Sequence, residues 1–263
     1  MEQHHQDTID RFVNRYSQDG DVLAILIGGS IAHGFAKPDS DVDALIIVSE
    51  ADHARRMQLN KLAFSIRDPE ICTYEGGYVD CKVATLPFLE TIAEQGSDAA
   101  RYAFKDAKIV FSRLGDLAEI LARATRFNEA EQVSRRQRFV CQLLAWKWYF
   151  SEAVRKDSDY LLHLATQKVM LFSCRLVLNE NRMLYPYHKW LLNETSRATS
   201  KPLGFDESLS RIGKAPALED VNAFVAEVLE FVKLGEKDVD WPNQFLADSE
   251  FNWLYHQTPV DDL

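Results

Sequence analysis

The sequence lacks the features that mark several special classes of protein. Its four cysteines are scattered without C-x-x-C spacing, which predicts reduced thiols rather than a cysteine zinc site or a disulfide framework. The first residues have no signal-peptide pattern, and no apolar run reaches the length that crosses a membrane. Internal repeats and low-complexity stretches are also missing. We therefore expect a soluble, cytoplasmic protein. The cysteines are Cys72, Cys81, Cys141 and Cys174.

The chain also has fewer basic than acidic residues. Lysine and arginine number 30 against 40 aspartates and glutamates, for a net charge of −10. Such a balance predicts no general affinity for nucleic acid and counts against a polymerase-like activity, which needs a basic track for its template. It favours a small, cationic acceptor. With 263 residues and 46% hydrophobic content, the chain can form one large domain or two ordinary ones.

The most informative segment is a glycine turn followed by two aspartates. An apolar strand, 22–27, leads into Gly28, Gly29 and Ser30, and a second strand, 42–48, begins between Asp41 and Asp43. Alternation along a strand places both carboxylates on one face, where they repel each other unless a cation lies between them. Oxygen ligands of this kind suit Mg²⁺, and the backbone N–H groups of a glycine turn suit an anion. The segment predicts a site for Mg²⁺ and a triphosphate.

This G-G-S-x10-D-x-D arrangement resembles the nucleotidyltransferase superfamily, which includes DNA polymerase beta and the aminoglycoside nucleotidyltransferases. The resemblance is clearest over 22–48 and extends to about residue 86. The family uses a third carboxylate on a later strand, and Asp80 is the best match, since Tyr78, Asp80 and Lys82 share one face of a predicted strand. Glu70 and Glu75 are rivals in turn-like sequence.

The chain is predicted to divide at about residue 127 into two domains of an α+β protein. Residues 1–127 form a small mixed-sheet catalytic domain, and residues 128–263 form an all-α bundle. His4 and His5 are expected to lie in a flexible start and to be incidental. The predicted elements are helices 7–16, 51–66, 116–124, 131–154, 159–178, 187–197 and 218–234, a further helix from Pro87, and strands 22–27, 42–48, 78–85 and 108–112. The aromatic residues after Asp240 predict a tail that docks on the body.

A sheet domain followed by a bundle resembles the antibiotic nucleotidyltransferases and the nucleotidyltransferase–HEPN pairing. The resemblance implies that the bundle is the acceptor-side domain. Lys147 and Lys168 are candidate nucleotide-binding residues, and Glu152 is a candidate acceptor-side residue. Each of these also has an ordinary packing or surface role as its alternative. His33 could contact phosphate or pack a helix.

These features predict transfer of a nucleoside monophosphate, AMP from ATP or the equivalent from another NTP, to a hydroxyl of a small acceptor. Gly28, Gly29 and Ser30 would hold phosphates, and Asp41, Asp43 and Asp80 would be catalytic and bind two Mg²⁺ ions. The acceptor could be an aminoglycoside-like antibiotic, which would make this a resistance enzyme. No membrane partner is expected, and the oligomeric state is open.

The alternative is a regulatory nucleotidyltransferase of the toxin–antitoxin type that acts on protein or RNA. Its HEPN-like bundle could itself cut RNA, because Arg182 and His188 have the spacing that HEPN ribonucleases use for acid–base chemistry. The alternative is a purely structural role for the motif, as a helix-entry turn around Pro186. We expect no specific cleavage of RNA, given the net charge of −10.

Overall fold

The chain divides into two compact units in a computed structural model that describes residues 1–255 and 257–262. One unit comprises Met1–Gly96 with Ala100–Arg126, and the other comprises Ser97–Ala99 with the chain from Phe127 onward. The first holds a five-stranded mixed sheet with helices, and a helical region follows it. The predicted α+β fold class is therefore confirmed.

The sheet has the strand order β3-β4-β2-β1-β5. Strand β2 pairs in parallel with β4 and antiparallel with β1, and the remaining pairs are antiparallel. The predicted strands 22–27, 42–48 and 108–112 match the observed bounds, whereas the observed strand 79–84 is one residue shorter at each end than the predicted strand 78–85. The strands are β1 Val22–Ile27, β2 Val42–Val48, β3 Ala63–Ile66, β4 Val79–Ala84 and β5 Lys108–Ser112.

Both faces of the sheet are covered, which explains why β1 and β2 are almost continuously apolar. On one face, Ile9 and Phe12 of the first helix pack on alternate residues of β1, β2 and β4. On the other face, Leu89 and Ile120 pack on the intervening residues of β1 and β2. The helices of this unit are α1 Gln3–Tyr16, α2 Gly29–His33, α3 Glu50–Gln58, α4 Leu86–Gln95 and α6 Leu117–Ala124, while α5 Asp98–Tyr102 spans the boundary between the units.

The predicted helix 51–66 is wrong over its second half. The helix α3 ends at Gln58, and Asn60 then adopts a left-handed backbone conformation with a φ of 54°. The chain reverses there and returns as β3, which pairs with β4 at the edge of the sheet. Residues Leu62, Phe64 and Ile66 alternate toward the core, as in a strand with one covered face.

The start of the chain also differs from the prediction. Helix α1 begins at Gln3 rather than at residue 7, and His5 is fully buried. The flexible start that we expected for His4 and His5 is therefore wrong.

The second unit is a helical bundle around one large core. Its longest helices, α7 and α8, pack along each other and are separated by a turn at Asp157, where φ is 51°. Ser158 caps α8 by accepting a hydrogen bond from the Leu161 N–H group at 3.4 Å. The helices are α7 Gln132–Arg155, α8 Asp159–Glu180, α9 Tyr187–Ser196, α10 Phe205–Lys214, α11 Leu218–Val232 and α12 Trp241–Phe245.

The tail after residue 240 is only partly docked. Phe245 is buried and lies against Trp146, with ring centroids 6.1 Å apart, and Asp248 accepts a hydrogen bond from Arg138 at 2.7 Å. The later aromatic side chains Trp253 and Tyr255 are exposed. The predicted docking therefore holds for the first part of the tail and again at Val260, which is buried in the core of this unit.

All four cysteines are free and buried, which agrees with the predicted thiols. Burial raises the pKa of Cys81, Cys141 and Cys174 to about 12, so these thiols stay protonated and unreactive.

One helix, α8, is long and apolar enough to cross a membrane by length and composition, contrary to our expectation for the sequence. However, 61% of its most apolar window is buried inside the protein. A helix that is apolar on all sides has this burial when it forms the centre of a bundle.

Candidate active site

Two of the predicted carboxylates are direct neighbours in the sheet. Asp43 on β2 and Asp80 on β4 are paired across the parallel ladder, so their side chains leave the same face of adjacent strands. Asp41 precedes Asp43 by two residues and follows the same alternation. All three are partly exposed at the N-terminal ends of their strands. The structure therefore brings the three sequence-predicted carboxylates to one corner of the sheet.

The glycine turn fits against one of these carboxylates. Gly29 has a left-handed φ of 59°, and a Cβ atom placed on it would lie 1.7 Å from Oδ2 of Asp43. A glycine is required here for two independent reasons, the backbone conformation and the space that the carboxylate fills. The turn therefore holds the Asp43 carboxylate in a fixed place.

Gly28 differs from its prediction. Its N–H group donates a hydrogen bond to the Asp43 carbonyl at 3.0 Å, so this donor is already used and does not face a phosphate. The physical reason is that β1 and β2 are antiparallel neighbours whose ladder extends by one residue past Ile27. Gly28 joins the turn to the strand that carries Asp43.

Ser30 carries an unpaired polar atom. Its side-chain oxygen is buried and has no hydrogen-bond partner within the described chain. A buried hydroxyl without a partner costs free energy, on the order of 1–3 kcal/mol. A phosphate oxygen or another ligand oxygen would remove this cost, which is the behaviour expected of a binding residue.

Tyr78 was missed as a site residue, although its place on the Asp80 face was a sequence-level signal. The neighbouring Asp41 carboxylate raises the pKa of Tyr78, because it interacts with the hydroxyl and carries a negative charge. The guanidinium of Arg67 lies 4.5 Å from the Tyr78 ring centroid. Asp80 in turn has the Lys82 ammonium 3.4 Å away.

The donor set fits a divalent metal that is shared with a substrate. Among the described residues, no three histidine, cysteine or acidic side chains converge into a cage that would hold a metal alone. Mg²⁺ is instead bound through one or two carboxylates together with substrate phosphates and water. An open row of carboxylates beside an unpaired Ser30 hydroxyl has this chemistry.

His33 has a packing role. Its ring stacks on Tyr102 with centroids 4.7 Å apart, and its Nδ1 atom is 3.5 Å from the Asp106 carboxylate. With a side chain only 4% exposed, it supports the short helix after the glycine turn.

The remaining predicted residues lie in the helical unit. Lys168 forms an ion pair with Asp261 and lies 5.6 Å from the Trp146 ring centroid. Glu152 accepts a hydrogen bond from Arg155 at 3.0 Å, and this bond, together with Lys156, lowers the pKa of Glu152 and makes it a weak base. Lys147 is half-buried on the same helix, α7.

Arg182 and His188 have separate partners. Arg182 pairs with Glu129 at 2.9 Å in the exposed turn after α8, where its φ is 54°. His188 lies in the first turn of α9, with Nδ1 3.3 Å from the Tyr185 hydroxyl. These contacts describe a helix-entry turn, which was the structural alternative for the motif.

Comparisons with known proteins place the matched region in the first unit. Residues 9–87 match the family model described as a nucleotidyltransferase domain, and this range contains the glycine turn and all three carboxylates. No curated protein matches the chain. The chain is similar to a solved nucleotidyltransferase-like protein from Exiguobacterium sibiricum 255-15 at 10% identity, with a TM-score of 0.48, over 95% of this chain and 79% of that one.

The family match confirms the resemblance that the G-G-S and D-x-D motifs indicated. Residues 9–87 match a nucleotidyltransferase domain, which supports a transferase of the EC 2.7.7 type. Such domains generally use a nucleoside triphosphate and a divalent metal.

Proposed function

We propose that this chain, whose residues 9–87 form a nucleotidyltransferase domain, transfers a nucleoside monophosphate to a hydroxyl group of a small molecule. The donor is ATP or another NTP, Mg²⁺ is the metal, and pyrophosphate is released. The net charge of −10 supports a small, cationic acceptor, of which an aminoglycoside-like antibiotic is one candidate class, over a nucleic-acid strand.

The observation that carries this proposal is the contact between the glycine turn and the carboxylate row, which consists of Asp41, Asp43 and Asp80. Asp43 fills the space beside Gly29 and stands in register with Asp80, while the buried Ser30 hydroxyl has no partner in the described chain. Carboxylate oxygens that could bind a metal thus lie beside the turn that carries the unpaired hydroxyl. An ordinary turn with surface aspartates would need neither the left-handed glycine nor the buried hydroxyl.

In this proposal the residues of the site have distinct roles. Asp41, Asp43 and Asp80 would hold two metal ions, and the Ser30 hydroxyl and the backbone at Gly29 would bind the β- and γ-phosphates. When bound, the ions neutralise phosphate charge and lower the pKa of the attacking hydroxyl. The acceptor oxygen forms a bond to the α-phosphorus as the bond to the bridging oxygen breaks. The hydroxyl proton passes to solvent water, and pyrophosphate leaves with the bridging oxygen and its electron pair.

The helical unit supplies the acceptor-side and further nucleotide contacts in this proposal. Lys147 and Lys168 are proposed to bind the nucleotide, and Glu152 is proposed to bind the acceptor. The lowered pKa of Glu152 keeps it charged at neutral pH, which suits binding of a cationic acceptor better than proton abstraction.

Substitution of Asp43 tests the proposal. Asp43→Asn keeps the shape that packs on Gly29 but removes the charge that a metal requires. We expect a loss of transfer of at least about a hundredfold, with an unchanged thermal unfolding midpoint. Pyrophosphate release is measured with each NTP, Mg²⁺ and a panel of hydroxylated compounds that includes aminoglycosides.

Asp39→Asn is the matched control. Asp39 is exposed in the turn just before the carboxylate row, so its substitution removes the same charge at a nearby position outside the row. Undiminished turnover in Asp43→Asn, or an equal loss in Asp39→Asn, would contradict the assignment of the site.

A further inference from the structure

The turn that leads into Asp41 is held by side chains from outside it. The Ser40 carbonyl accepts two hydrogen bonds, from the Tyr74 hydroxyl at 2.6 Å and from Nε2 of His5 at 3.1 Å. The neighbouring carbonyl of Pro38 lies 2.8 Å from Nε2 of His4. Three side-chain donors therefore hold two carbonyl groups of the turn that leads into Asp41.

The protonation state of His5 follows from its two contacts. Its Nδ1 atom accepts a hydrogen bond from the Glu2 N–H group at 3.1 Å, so the ring proton is on Nε2 and is donated to the Ser40 carbonyl. The ring is fully buried, and burial lowers the pKa of His5. A neutral histidine of defined tautomer is the arrangement that this pair of contacts requires.

The helix that carries these histidines is itself anchored. The His4 carbonyl accepts hydrogen bonds from the hydroxyls of Thr8 at 2.8 Å and Thr73 at 3.0 Å. Tyr74 gains its place from Gly77, because a Cβ atom on Gly77 would lie 2.6 Å from the Tyr74 ring. The donors to the turn are therefore rigidly mounted on α1 and on the segment before β4.

Fixing the Ser40 carbonyl fixes the start of Asp41. The Ser40 C=O and the Asp41 N–H belong to one planar peptide group, so two hydrogen bonds to that oxygen set the orientation of the plane. Asp41 is thus constrained at its backbone by donors from two other segments of the chain.

We propose that His5 and Tyr74 are positioning residues for Asp41, which they orient through their shared hydrogen bonds to the Ser40 carbonyl. The consequence for catalysis rests on the proposed role of Asp41 as a metal ligand. A carboxylate ligand that is misplaced by about 1 Å can lower a rate about a hundredfold. The two donors share one acceptor, so either can hold the peptide plane when the other is absent.

The shared acceptor predicts a specific pattern in a double-mutant cycle. Tyr74→Phe keeps the ring and removes one donor, and His5→Ala removes the other. We expect each single variant to raise the Mg²⁺ concentration for half-maximal transfer by about threefold or less, and the double variant by about thirtyfold, with kcat reduced in parallel. His5→Gln, which offers an amide N–H in place of Nε2–H, should restore most of the loss when combined with Tyr74→Phe.

Ser49→Ala is the matched control for a loss of stability. Ser49 lies at the opposite end of β2, where it accepts a hydrogen bond from the Asp52 N–H group and donates one to Asp21. Its removal should lower the thermal unfolding midpoint by a similar amount without changing the Mg²⁺ dependence. A wild-type Mg²⁺ dependence in the folded double variant, or an equal shift in Ser49→Ala, would overturn the proposal.

Amide hydrogen exchange separates this proposal from the proposed function. We expect residues 37–43 to exchange at least about tenfold faster in the double variant than in the wild type or in Ser49→Ala. Unchanged exchange would overturn the positioning role even if the protein transfers nucleotides. Faster exchange in a protein whose wild type transfers nothing would support the positioning role of His5 and Tyr74 and reject the proposed function.

Discussion

Gly29 offers the sharpest test of how the glycine turn and the carboxylate row depend on each other. Gly29→Ala introduces a Cβ atom 1.7 Å from Oδ2 and 2.8 Å from Cβ of Asp43 while φ stays at 59°. The left-handed conformation costs about 1–2 kcal/mol for a residue with a side chain. Displacement of the packed carboxylate adds about 1–3 kcal/mol, by analogy with overpacked interiors. We therefore expect the free energy of unfolding to fall by about 2–5 kcal/mol.

Gly34 provides the matched control. It has a similar left-handed φ of 77° at the end of the same short helix, but a Cβ atom there would meet nothing within 4 Å. Gly34→Ala should cost only the conformational term, about 1–2 kcal/mol, and should leave transfer intact. Urea unfolding measures the difference, and pyrophosphate release measures activity, which Gly29→Ala should lose because Asp43 is moved. Equal stability of the two variants, with wild-type turnover in Gly29→Ala, would refute this reasoning.

The remaining predictions concern pH and RNA. His5 has a pKa lowered by burial from its ordinary value of 6.5, with His4, Glu2 and the amino terminus as the charged groups nearby, so the unfolded chain binds the extra proton. Stability should therefore rise with pH through the window just below 6.5, by up to about 1.4 kcal/mol per pH unit, and this slope should be absent from His5→Gln in urea unfolding. Identical pH profiles would exclude a buried, neutral His5. The wild type should not cleave total RNA, since Arg182 is paired with Glu129; metal-independent cleavage that disappears in His188→Ala would instead favour the regulatory alternative.

Local patterns predicted the parts of the fold that depend on local chemistry. The strands at 22–27 and 42–48 were predicted with their observed bounds because each is an apolar run bounded by turn residues. The helix predicted over 51–66 was wrong because Asn60 ends it, although Leu62, Phe64 and Ile66 alternate with the period of a strand. Helix α10 was missed despite buried residues at helical spacing, namely Phe205, Leu209 and Ile212.

The hydrogen bonds that position Asp41 could not be predicted, because they join segments that are distant in the sequence. His5 and Ser40 are separated by 35 residues, and Tyr74 and Ser40 by 34. A pair of histidines near the start of a chain carries no local signal of such a contact. The burial of His5 follows from the packing of α1 on the sheet, which sequence periodicity predicted only from residue 7 onward.

The place of Asp80 shows why the third carboxylate depends on the whole sheet. Alternation along β4 put Asp80 on the exposed face of its strand, but alternation alone does not say which residue of β2 lies beside it. The parallel pairing of β2 with β4 sets Asp80 opposite Asp43, and the antiparallel pairing of β3 with β4 places Ser65 on its other side. A slip of one residue would turn Asp80 into the core and Val79 or Cys81 outward, which the burial of both side chains forbids. The apolar residues of β4 therefore determine the register, and the register in turn brings the two carboxylates together.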